Sequence, residues 1–193
     1  MSKELLSSIA IALTFIAFVP YISSILRNKT QPHAFSWVIW ASVTFIIFLA
    51  QLADGGGAGA WPIGVSGIIT FFVAILAYLK KSDHMIVKKD WVFFIMAMSA
   101  IPFWYITSNP LWAVVILTTV DLLGFAPTLR KAYSYPDEEQ LTFYTLIACR
   151  NLVATVALEH YSLTTMLFPV ATAIACIFLI QMVIYRRIKL RKS

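Results

Sequence analysis

Residues 18–37 read FVPYISSILRNKTQPHAFSW. An apolar run carries Pro20 near its end, gives way to Arg27-Asn28-Lys29, turns at Gln31-Pro32 and becomes apolar again at Phe35-Ser36-Trp37. That is the pattern of a helix, a basic turn and a second helix. A fainter echo occupies residues 125–144, FAPTLRKAYSYPDEEQLTFY. Setting Pro20 on Pro127 fixes an offset of 107 residues, which also lays Phe18 on Phe125, Trp61-Pro62 on Phe168-Pro169, Tyr78 on Tyr185 and Lys80 on Arg187. An offset kept across a whole unit marks an internal repeat.

At 193 residues, 60% hydrophobic and only 12% charged, the chain has too few polar groups to cover a water-facing surface. The composition implies an integral membrane protein. The net charge of +6 comes from Lys and Arg placed between apolar runs, so lipid headgroups rather than nucleic acid are the expected partner. Cys149 and Cys176 lie inside apolar runs without CxxC spacing and read as small buried residues. His33, His84 and His160 are far apart and lack ligand spacing, so no metal site is expected. No nucleotide-binding loop is present, and no cofactor is implied.

The apolar runs cover about residues 5–26, 35–53, 60–79, 91–107, 111–129, 141–158 and 163–185, most near the ~20 residues that a spanning helix needs. This predicts an all-α transmembrane fold of seven helices, the fourth being the shortest. Thirteen Lys and Arg residues fall after the odd-numbered runs, from Arg27 and Lys29 to the tail, against Lys3 alone on the other side and Arg150 in mid-helix. The positive-inside rule then puts the N-terminus outside and the C-terminus in the cytoplasm, in a cell (inner) membrane. The repeat covers helices one to three and five to seven, a 3+1+3 arrangement. An odd number of spans inverts the chain, and the linker helix restores its direction, so the two repeats are parallel. The expected units are residues 1–80, a linker with helix four at 81–109, and 110–193 with the basic tail. Gly55-Gly56-Gly57 is an external turn, and Lys80 to Asp90 is a cytoplasmic linker.

Pro20-Tyr21, Arg27-Asn28-Lys29-Thr30 and Ser36 together resemble the PQ-loop motif, and the 3+1+3 layout resembles the SWEET sugar transporters. The likeness of layout covers nearly the whole chain; that of motif is confined to the two loops. Tyr21 and Thr128 stand where the motif's Gln would be, and Ser66 and Ala173 lie nearest the place where SWEETs carry a sugar-binding Asn. Of the SWEET proline tetrad, Pro20 and Pro127 are present. The resemblance thus implies the scaffold and a transport function, not a sugar.

Asp121 lies nine residues before Arg130, and Arg150 nine after Leu141, so at 1.5 Å per residue both sit roughly 13 Å from the same membrane face. A charge at that depth costs about 2.5–3.5 kcal/mol even on lenient scales, so each should face the bundle interior. Two readings follow: a site for a polar or zwitterionic solute, with Asp121 able to take a proton, or a permanent ion pair locking helix five to helix six. The offset maps Asp121 to Thr14, Arg150 to Val43 and Asn151 to Thr44, so the charges belong to the second half alone. Asn151 is also ordinary interhelical glue. Trp37 reads as part of an interfacial aromatic belt. Trp40, a turn deeper, is an inner-gate or stacking candidate beside the reading of plain packing. Trp61 and Phe168 flank an outer vestibule or anchor to lipid. Ser66, Thr70 and Gln181 are polar positions in the third helices of the two units. Pro20 and Pro127 are candidate hinges, since proline removes a helix hydrogen bond.

The expected function is therefore alternating-access movement of a small polar solute, by facilitated diffusion or coupled to protons. A non-transporting membrane receptor or assembly factor on the same scaffold is the alternative. An enzyme is not expected, because Glu159-His160 at a loop end is the only acid–histidine neighbour pair. A homo-oligomer is compatible with this reading.

Overall fold

The computed structural model describes residues 2–28, 34–80, 88–134, 136–138 and 141–192. Among these the chain is entirely helical: α1 (Lys3–Leu26), α2 (Ala34–Ala53), α3 (Trp61–Leu79), α4 (Lys88–Thr107), α5 (Pro110–Ser134), α6 (Leu141–Ala157) and α7 (Leu163–Lys192), with 3-10 turns at Gly57–Ala60 and Pro136–Glu138. The turn expected at Gln31-Pro32, His33, and most of the linker including His84 lie outside the described residues.

Local chemistry sets the helix ends. Ser2 caps α1, its side chain accepting from the Leu5 N–H, and Glu4 sits in the first turn, where the helix dipole favours an anion. Asn109 accepts from the Leu111 N–H and starts α5. Ser162 and Thr165 cap α7 reciprocally, each backbone N–H donating to the other's hydroxyl, at 3.0 and 3.2 Å. Gly55 and Gly57 take φ of 72° and 56°, values that side-chain-bearing residues adopt at a cost. Pro20 lies inside α1, which continues to Leu26.

Two expectations of length are corrected. The fourth helix has 20 residues, and the 17-residue α6 is the shortest. Both α5 and α7 also outrun their apolar stretches, because the extensions hold each other: Arg186 donates to the Tyr133 carbonyl at 3.0 Å and lies over the Tyr133 ring at 4.2 Å.

Three segments are long and apolar enough to cross a membrane: Lys3–Leu26, Gly57–Leu79 and Leu163–Arg191. Large apolar side chains line the outside of the bundle, among them Phe15 and Ile16 on α1, Ile68 and Phe71 on α3, and Ile174 and Phe178 on α7. So much exposed apolar area suits lipid rather than water. Inside, α1 packs on α3 and α6, α5 packs on α7 and α2, α2 packs on α3, and α6 packs on α7. α4 rests on α5 and α2. Ala97 and Ala100 meet Ala113 and Val114 in one core cluster, where small residues let helix backbones approach.

Candidate functional site

Three threonines inside these helices satisfy their hydroxyl protons locally. Thr44, Thr70 and Thr172 each donate the hydroxyl proton to the carbonyl four residues back, at 2.7, 2.7 and 2.9 Å. This back-bonding lets a hydroxyl sit in an apolar helix, and it leaves the oxygen lone pairs turned outward as acceptors.

Those three threonines lie on the wall of a partly open cavity of about 230 Å³ lined by side chains of α1, α2, α3, α5, α6 and α7. Among the described residues α4 contributes no lining side chain. One part of the wall is aromatic, formed by Phe18, Trp37, Trp40, Phe125, Phe143 and Tyr144. Phe18 and Trp37 meet edge-on with centroids 6.4 Å apart, and Phe125 and Tyr144 do so at 6.1 Å. Ser66, Thr70, Thr172 and Cys176 supply the small and polar remainder from α3 and α7.

Asp121 and Arg150 both face this cavity. Arg150 is only 4% exposed. Its Nη1 donates to the Pro62 carbonyl at 3.4 Å, and its Nε has no hydrogen-bond partner. Among the described residues no salt bridge joins Arg150 to Asp121, and no hydrogen bond reaches the Asp121 carboxylate.

The cavity collects Asp121, Arg150, Trp40, Thr44, Ser66 and Thr70. Thr14 is buried elsewhere, donating to the Ala10 carbonyl at 2.9 Å. Asn151 is fully buried and donates to the Ile147 carbonyl at 3.0 Å, while its Oδ1 lacks a partner. Gln181 is exposed on α7 and is not among the lining residues. Pro20 is exposed on α1, and Pro127 falls within α5 with its side chain outside the described residues. Trp37 is buried in the aromatic wall rather than placed in an interfacial belt. Phe168 is buried in the cavity wall whereas Trp61 is exposed against Phe48, so the two do not share one environment. Cys149 is exposed, contrary to the expectation for a small buried residue; Cys176 is buried.

A second polar cluster, unforeseen in the sequence, joins the α2–α3 connection to the α6–α7 connection. Ser162 donates to Asp54 Oδ2, His160 Nδ1 lies 2.8 Å from the Asp54 carbonyl oxygen, and Gln51 donates to the Thr165 carbonyl at 2.6 Å. The Ala58 N–H donates to Glu159 at 2.9 Å. At the opposite end the links are shorter in range. Lys80 reaches Asn28 at 2.9 Å beyond α1, and Arg187 reaches the Pro136 carbonyl at 2.8 Å beyond α5. Among the described residues no three His, Cys, Asp or Glu side chains are grouped to hold a metal.

A scan of protein-family models and searches of curated proteins and of solved structures give no match to this chain.

Proposed function

We propose that the chain is a seven-span membrane transporter of the PQ-loop and SWEET type. In this reading α1–α3 and α5–α7 are parallel units joined by α4, and one small polar solute binds between them. The observation that carries it is the cavity: side chains of six helices line it, two of them of opposite charge with no salt bridge between them among the described residues, within a bundle whose outside is apolar. A buried charge of that kind is costly and is retained in membranes chiefly for function.

The helix contacts support the doubled layout. Under the offset of 107, α1 on α3 corresponds to α5 on α7, α2 on α3 to α6 on α7, and α1 on α6 to α5 on α2. Lys80 and Arg187 are matched positions, and each ties the end of its unit's third helix to the segment following its first. The charge asymmetry favours an outside N-terminus, which makes the Asp54–Ser162 cluster an external clasp between the units. Rocking of the units about the cavity would break that clasp and expose the site alternately to the two sides.

Flux of labelled solutes across reconstituted vesicles tests the reading. Transport by wild type and its loss in the charge-swapped chain, Asp121→Arg with Arg150→Asp, is expected; a sealed, folded protein that moves no solute would favour a receptor or assembly factor. Proton coupling through Asp121 predicts uptake that rises with an imposed pH gradient and an Asp121→Asn chain that ignores it. Equal uptake with and without the gradient would leave facilitated diffusion.

A further inference from the structure

We propose that the cavity takes a compact zwitterion with a flat apolar body, its anionic group on Arg150 and its cationic group on Asp121. This deepens the transport reading and rests on it. The Arg150 guanidinium offers five N–H donors, and among the described residues one is used, on Pro62. A buried arginine with spare donors facing a cavity matches a carboxylate or similar anion.

The lining also supplies acceptors. Among the described residues the Asp121 carboxylate accepts no hydrogen bond, and Thr44, Thr70 and Thr172 have already given their protons to their own helices. What remains there can only accept hydrogen bonds from these groups, which suits an ammonium. The same lining carries the rings of Phe18, Trp37, Trp40, Phe125, Phe143 and Tyr144. Rings of this kind favour a flat apolar body and also the cationic end of a ligand. The volume of about 230 Å³ falls below the ~300 Å³ at which pockets for drug-sized ligands begin, which suits a small occupant. A neutral polyol would bring no charge to either group.

Four probes separate the parts: phenylalanine, 3-phenylpropionate, phenethylamine and glucose, applied to purified full-length protein. Binding is read as a shift of the thermal midpoint and as a change in tryptophan emission. Phenylalanine is expected to give the largest response, the two singly charged probes smaller ones, and glucose none. Arg150→Gln should weaken 3-phenylpropionate at least tenfold and spare phenethylamine; Asp121→Asn should do the reverse. The proposal is overturned if glucose equals or exceeds phenylalanine, or if neither variant changes the ranking. Should either variant fail to fold, the ranking of the four probes on wild type decides alone. Phenylalanine binding without its flux in vesicles would remove the transport reading and keep the assignment of charges. Glucose flux without phenylalanine binding would remove the assignment and keep transport.

Discussion

The Phe18 ring meets the Trp37 indole edge-on, with centroids 6.4 Å apart and planes crossed at 72°. At the positions 107 further on, Phe125 meets Tyr144 at 6.1 Å and 77°. Each half of the chain thus sets the end of its first helix against the start of its second through the same aromatic geometry, a pairing worth about 0.5–1.5 kcal/mol beyond burial. Both pairs belong to the cavity wall.

Because position 144 holds Tyr where position 37 holds Trp and makes the same edge contact, Trp37→Tyr should keep it. It is expected to cost less than about 1.5 kcal/mol, as shape-compatible core exchanges do. Trp37→Ala removes contacts with Phe18, Tyr21 and Trp40 together and should cost about 3–5 kcal/mol. Thermal midpoints of the two variants in the same detergent check this.

Arg150→Met replaces a buried charge with a flexible apolar chain of similar length. The arginine makes one hydrogen bond of 3.4 Å and no salt bridge among the described residues, so its removal relieves a desolvation penalty. The expected result is an unchanged or raised thermal midpoint with solute flux abolished. A loss on the order of 3–5 kcal/mol, the cost of breaking a buried pair, would mark Arg150 as a latch instead.

The Asp54–Ser162 contact crosses between the two proposed units. Cysteines at both positions, in a chain with Cys149→Ser and Cys176→Ala, should form a disulfide under mild oxidation. Flux should stop when the bridge forms and return with reductant. Full flux through the oxidised, cross-linked protein would show that this end does not open.

Gly59 packs where a Cβ would run into the Leu158 backbone, and backbone cannot turn aside as a side chain can. Gly59→Ala is expected to destabilise by about 1–3 kcal/mol. Gly124→Ala, where the nearest atom is Trp40 Nε1 at 3.9 Å, should be nearly neutral in stability. The pair of midpoints, compared with wild type, tests whether the α6 end closes as tightly as described.

Much of the fold is legible in the chain because lipid-sized apolar runs leave little choice of element, and the helix starts fall within a few residues of the runs. The meeting of Asp121 and Arg150 in one cavity follows from depth, which sequence spacing measures well. Facing does not follow, because helices apolar all round carry no stripe that separates lipid from interior. Gln181 therefore turned out exposed, Cys149 likewise, and Trp61 and Phe168 parted company although they are matched in sequence. The Asp54–Ser162 clasp was hidden for another reason. Of its neighbours only Glu159-His160 stood out, as a loop end, and the contact joins positions 108 residues apart.

Cys176 is a native reporter for movement of the site, being buried in the cavity wall on α7. In a Cys149→Ser chain, a membrane-impermeant thiol reagent can be applied to right-side-out and to inverted vesicles. Alternating access predicts that Cys176 reacts from both faces, and that locking the Asp54–Ser162 end shut removes reaction from the outside only. Reaction from a single face in every preparation, unchanged by that lock, would contradict it.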